Sequence, residues 1–301
     1  MVNAEQTTAD WWKHWWRQDF SWSGLEAFHA WQGWMVLADG QLTEDPECFI
    51  LTDERRQKGC PDGARPTNLK DYWHRCFKDL QIDANAVLLT SPQSGKQFTP
   101  LHTPPVWEDG TPVERTAEQL ELVGQMINWA ISRSKNCEWS DKDDLIGPDH
   151  RAQFQGIVFQ DFCMTNSDPL NWHAHNACFT GKTDFRNAEF GEIAQFDQAC
   201  FTGAVEFSNT RFRRYADFEA ALFCKDTNFE DALFQDTADF FQSKFLGPSN
   251  CRGTKFNALA DFEEIEFADT PNFNGAEFRG AVWFDDMDTI NGAVLTDDAK
   301  S

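Results

Sequence analysis

The sequence predicts a β-helix, a chain wound into a coil of short walls around a filled interior, preceded by a separate α+β domain. Three observations predict it. Phenylalanine recurs from Phe179 to Phe284 with gaps that alternate between six and five residues, a small or compact residue stands two places before each ring, and residues 1–150 show no such rhythm.

The series Phe179, Phe185, Phe190, Phe196, Phe201 continues in step to Phe284, with Cys251 taking one place, so the underlying period is eleven. A helix does not explain it, because at about 100° per residue steps of five and six throw successive rings onto nearly opposite faces. A flat strand fails as well, since every five-residue step changes face. The spacing is satisfied when the chain turns a corner between rings and each ring points inward from a new wall. The neighbours agree: Ala177, Thr183, Ala188, Ala194, Ala199 and Val205 begin an unbroken run of small or compact residues two places before each ring, on the same inward side of a short strand. At every second wall the residue between them is polar (Asp184, Gln195, Glu206, Asp217, Asn228, Asp239, Asn250, Asp261 and Asn272), and Trp283 alone departs. Gly181, Asn187, Gly203, Asn209, Gly247, Gly253, Gly275 and Gly280 fall at the expected corners.

The units Ala216-Asp217-Phe218, Ala238-Asp239-Phe240, Ala260-Asp261-Phe262 and Thr227-Asn228-Phe229 resemble the Ala-Asp/Asn-Leu/Phe core of pentapeptide-repeat proteins. The resemblance implies a right-handed quadrilateral β-helix with one five-residue unit per wall and four walls per coil. This chain differs in adding a sixth residue to every second unit, which predicts coils of 22 residues with a corner loop or bulge on alternate walls. Residues 177–286 are expected to form the regular β-helix. Residues 151–176, where the phase slips, form an irregular first coil or cap, and residues 287–301 a C-terminal cap and tail in which Met287, Ile290, Val294 and Leu295 fold over the last coil.

Charge points to a function. The chain carries 49 Asp and Glu against 26 Lys and Arg, a formal net charge of -23, which repels phosphates and excludes direct nucleic-acid binding as the expected activity. Sorted by register, the wall of Phe196 and its copies (192–198, 214–220, 236–242, 258–264 and 280–286) holds eleven acids and one base, Arg214, a net of -10. Residues 170–301 hold 23 acids and 11 bases, a net of -12, so this one wall carries nearly the whole excess. Asp197, Asp217, Glu219, Asp239, Asp261, Glu263 and Asp285 are the candidate partner-binding residues, and the expected partner is a basic protein. Some pentapeptide-repeat proteins mimic B-form DNA and bind DNA gyrase, so the resemblance implies a DNA-binding protein such as a topoisomerase as one such partner. The plainer explanation is that Asp before Phe caps the corner backbone and the remainder is solvated surface.

The first 150 residues read as an α+β domain of unknown type. Trp11, Trp12, Trp15 and Trp16 make one helical stripe, expected to pack as core or on a neighbouring domain, with an interfacial membrane anchor as the alternative. Helices are expected at about 68–80, burying Leu69, Trp73, Cys76, Phe77 and Leu80, and from a Thr116–Gln119 capping box to about Ser134, burying Leu120, Val123, Ile127, Ala130 and Ile131. Cys48 to Leu51 and Ala86 to Leu89 read as strands, and Asn136 to His150 as a hinge.

No catalytic residue, cofactor or metal site is expected. Ser94-Gly95-Lys96 lacks the first glycine and the hydroxyl residue of a phosphate loop. His173, His175, Cys178 and Cys163 cluster without metal-ligand spacing, as do Cys48, Cys60, His74 and Cys76. No run of apolar residues is long enough to span a membrane, there is no signal-peptide layout, and nine cysteines fit reduced thiols in a cytoplasm. The expected function is a non-catalytic interaction or scaffold protein. An enzyme or sensor in residues 1–150 carried on a β-helical scaffold is one alternative, and a membrane-surface adaptor is the other.

Overall fold

The structure, a computed structural model, describes residues 4–28, 35–36, 42–43, 68–134, 152–164, 170–285 and 292–295. The chain divides into two compact units, one comprising Met1–Asp19, Leu101–Val106 and Phe154–Ser301, the other Phe20–Pro100 and Trp107–Gln153.

Residues 152–284 form a parallel β-solenoid of about six turns. Its register steps by 22 residues: Ala194 lies beside Ala216, Ala216 beside Ala238, Ala238 beside Ala260, and Ala260 beside Val282. Three further ladders keep the same step, through Cys200 and Leu222, Val205 and Thr227, and Arg211 and Leu233. The first turn is shorter, with Phe159 beside Phe179 and Leu170 beside Phe190. A register shift between Phe190 and Ala194 takes up the difference, and it is the slip that breaks the sequence rhythm before Phe179.

The rings converge inside. Every series member from Phe179 to Phe234 is 1% exposed or less, and Cys251 is buried in its turn. Phe196, Phe218, Phe240, Phe262 and Phe284 stack with centroids 5.1, 5.0, 5.1 and 5.0 Å apart. Parallel strands in register set that separation, and each stacked pair adds on the order of 1 kcal/mol beyond burial.

Two kinds of corner alternate, which explains the alternating gaps. In the five-residue gaps the second residue after each ring is left-handed: Asn187, Gln198, Asn209, Ala220, Asp231, Gln242 and Glu264 have φ between 51° and 59°, and Gly253 and Gly275 share the place. Each makes a tight turn, as where the Ala221 N–H donates to the Phe218 carbonyl at 3.0 Å. The six-residue gaps bend more openly and bring successive coils close. A Cβ on Gly203 would stand 1.9 Å from the Gly181 carbonyl oxygen, so glycine is required there by space.

The helix Ala4–Gln18 belongs to the solenoid's unit and lies along the coil. The Trp15 indole N–H donates to the Gly156 carbonyl at 3.1 Å and that of Trp11 to the Gln198 carbonyl at 2.8 Å, while the Thr8 hydroxyl meets the Cys224 thiol at 3.3 Å. Trp11 and Trp15 are therefore buried, whereas a lipid-facing stripe would need them outward. None of the described helices is long and apolar enough to cross a membrane.

The described part of the other unit is largely helical. Leu69–Asp79, capped by the Asn68 side chain, buries Leu69, Trp73, Cys76 and Phe77 as expected and Tyr72 besides, while Leu80 is a half-buried cap residue. Ala117–Ser134 begins with the reciprocal bonds of a capping box between Thr116 and Gln119. Its buried row is Leu122, Met126 and Ala130, one residue every fourth place, and Leu120, about 200° away around the helix, is exposed. The strand expected at Ala86 to Leu89 is corrected: Asp83 accepts the Asn85 N–H and starts a single helical turn, Ala84–Val87, and the strand is Leu89–Thr90, paired with Gln97–Phe98. The segments Cys48 to Leu51 and Asn136 to His150 lie outside the described residues.

Candidate functional site

The acidic wall is built by the residues that flank one ring column. Because Phe196, Phe218, Phe240, Phe262 and Phe284 point inward, their immediate neighbours point outward. The residues before them stack in register as Gln195, Asp217, Asp239, Asp261 and Trp283. The residues after them make a second file: Asp197, Glu219, Phe241, Glu263 and Asp285. All seven sequence-predicted residues thus fall on one wall, unequally exposed: Asp217 is buried, Asp197, Asp239 and Asp261 are half-buried, and Glu219, Glu263 and Asp285 are exposed.

Corner capping accounts for part of this acidity. Asp217, Asp239 and Asp261 each accept, through Oδ1, the N–H two residues on, at 3.0, 2.9 and 2.9 Å. Asn228, Asn250 and Asn272 do the same on another wall at 3.0, 3.2 and 3.2 Å. A neutral amide meets the turn equally well, so the turn does not dictate the charge.

The carboxylates perturb one another. Burial, then the charges of Asp197, Asp239 and Glu219, hold the Asp217 carboxyl well above the usual carboxylate range. Burial and the neighbouring Asp239, Glu263 and Asp285 raise that of Asp261. The Tyr215 hydroxyl donates to Asp239 Oδ2 at 2.7 Å, and burial beside these acids raises the phenol. At the first-coil end, burial favours neutrality of both Asp197 and His175, but their mutual attraction wins, so Asp197 is lowered and His175 raised. Several acids elsewhere on the solenoid have bases: Glu189 meets Arg211 and Arg213, Glu230 meets Arg252, Glu266 meets Lys244, and Glu277 meets Lys255 and Arg279. Among the described residues, no ion pair reaches Asp239, Asp261 or Glu263.

Among the described residues, the His and Cys side chains named from the sequence do not form a metal-holding group. His175 is bonded to Asp197, Cys178 lies beside Cys200 on a different ladder, and Cys163 is exposed next to Asp184. His74 stacks on Trp22, Cys76 is buried, and Cys48 and Cys60 lie outside the described residues. The group that does converge is Asp217, Glu219 and Asp239, with carboxylate oxygens within 4.8 Å of one another. Spacing hid it, because register brings Asp239 to Asp217. The same step of 22 places His175 above Asp197, a signal present in the sequence that residue-type clustering overlooked.

In the other unit Ser94-Gly95-Lys96 is a hairpin turn, with the Ser91 N–H donating to the Lys96 carbonyl and Gly95 at φ 69°. Ser91 and Ser94 both donate to Glu108, at 2.7 Å each. These hydroxyls are committed to a turn clasp, and among the described residues no histidine is bonded to either.

Comparison of the chain with protein-family models, curated proteins and solved structures returned no match. The parallel solenoid, with rings at a regular spacing of about 22 residues, is compatible with a pentapeptide-repeat-type protein.

Proposed function

We propose that this chain is a non-catalytic pentapeptide-repeat interaction protein, a right-handed, four-walled β-helix that presents its acidic wall to a basic protein partner. The partner class is that of proteins that hold DNA, topoisomerases among them, met in a reducing cytoplasm. One observation carries the reading: the corner turn is satisfied by Asn on one wall, yet this wall uses Asp217, Asp239 and Asp261 in the same role, stacked and, among the described residues, without an ion pair to any of the three. Like charges in register destabilise by about 0.2–1 kcal/mol per facing pair, so the arrangement costs stability that a cationic surface restores on docking. Tyr215, raised beside these acids, holds Asp239 in place.

The test compares proteins captured from lysate by the native chain, by D217K/D239K/D261K and by D217N/D239N/D261N, the last keeping every cap. The expected result is a set of basic proteins retained by the native chain at about 0.1 M salt, released as screening shortens toward 1 M, and lost from both variants. Recovery of the same proteins by all three would refute the proposal.

A further inference from the structure

A second property of the wall follows from its geometry and does not depend on the basic-partner reading. Asp217 and Glu219 come from one coil and Asp239 from the next, and one oxygen of each lies within 4.8 Å of the other two. Two oxygens on opposite sides of one calcium ion, each bonded at about 2.3–2.6 Å, are separated by about that distance.

The coil above supplies an independent pointer. Gln195 is in register beside Asp217, in the same outward file, and only 7% exposed. Its Oε1 is buried without a hydrogen-bond partner. That amide oxygen sits in the same file as Asp217, Asp239 and Asp261, a file of acceptors, and a buried acceptor without a donor is costly. Asp197 Oδ1, in the neighbouring file, is buried without a hydrogen-bond partner as well. A cation resolves both features at once: it neutralises the converging carboxylates and gives the orphaned oxygens a charge to face. We propose that Asp217, Glu219 and Asp239 hold a divalent cation of the calcium class, with the Gln195 amide oxygen as its neutral neighbour. All the donors are oxygens, which selects a hard ion, and their uneven burial suits calcium's tolerant coordination better than the strict octahedron of magnesium. Tyr215 orients Asp239 from behind through its 2.7 Å bond.

The substitutions that test this are ones the fold already accepts, because Asn228, Asn250 and Asn272 occupy the equivalent capping place. The full-length protein, stripped with chelator, is titrated with CaCl2 and separately with MgCl2 by calorimetry, and its melting temperature is followed in parallel. The expected result is one saturable calcium site, tighter than magnesium, that raises the melting temperature. D217N and D239N each weaken it about tenfold or more, while D261N, one coil beyond the cluster, leaves it within about threefold. Absence of saturable calcium binding would overturn the proposal, as would equal losses in D217N and D261N. A carboxyl cluster that merely shares a proton gives that first result. The titration contains no protein partner, so its failure leaves the basic-partner reading standing, and equal capture by all three chains in the lysate experiment leaves the cation site standing.

Discussion

Replacing Phe218 by alanine removes a ring from the middle of the stack. The ring is 0% exposed, lies between Phe196 and Phe240 at 5.1 and 5.0 Å with planes within 4°, and meets Phe207 and Phe229 edge-on at 5.6 and 5.8 Å. Truncating a buried Phe to Ala costs about 3–5 kcal/mol, and two coplanar partners place this site at the upper end, since the cavity cannot close while register holds both neighbours apart. At about 2–4 °C per kcal/mol for a unit of this size, the melting temperature should fall by about 8–20 °C. Phe284 is the internal comparison: half-buried and, among the described residues, stacked on Phe262 on one side, it should lose about 1–2 kcal/mol. Urea unfolding followed by near-ultraviolet circular dichroism reads both variants, with the slope checked for constancy. Equal losses from F218A and F284A, or a loss from F218A below about 1.5 kcal/mol, would refute the inward stack as the source of stability.

Three further outcomes are expected. Ala220 sits at φ 51° as the third residue of a tight turn, a place held by Asn187 and Asn209 elsewhere, so A220N should raise stability by about 0.5–1 kcal/mol, measured by urea midpoint. Burial depresses His102 from 6.5 to about 3, so its contribution is complete above pH 6.5 and is lost as pH falls toward 3, up to about 4–5 kcal/mol, and H102Q should flatten that acid limb in a pH series of urea midpoints. Asp217 shifts the other way: with its folded value raised, its contribution is present below the unfolded value near 4 and lost as pH rises through the folded one. Without added metal, D217N should therefore be more stable than the native chain at pH 8, with the difference vanishing as pH approaches about 4, measured by the gap between paired urea midpoints.

What could be read from the sequence was whatever repeats. The phenylalanine rhythm, the small residue before each ring and the Asp or Asn at the cap each recur every 11 or 22 residues, so one misread position changes nothing. The choice between tight and open corners was less legible, because residues as different as Gln198, Ala220, Asp231 and Glu264 all take the left-handed place. Coil closure imposes that backbone, overriding residue preference. Features that occur once were harder. Leu120 has the right residue type and periodicity for a buried face, but the face that is buried is that of Leu122, Met126 and Ala130. Asp83 turned a β-like apolar run into a helical turn through a single cap bond. Within the candidate site, the wall was legible from register, whereas its uneven burial and the approach of Tyr215 depend on side-chain paths that no pattern of residue types records.

The helix Ala4–Gln18 has an implication for how the molecule comes together. Its bonds at Trp15, Trp11 and Thr8 reach residues 156, 198 and 224 in turn, so it runs against the direction in which coils are added. During synthesis this helix emerges before the coils, and the last carbonyl and thiol that receive it are made roughly two hundred residues later. It therefore finds its seat only after four coils exist to receive it. Once seated it latches those coils together lengthwise.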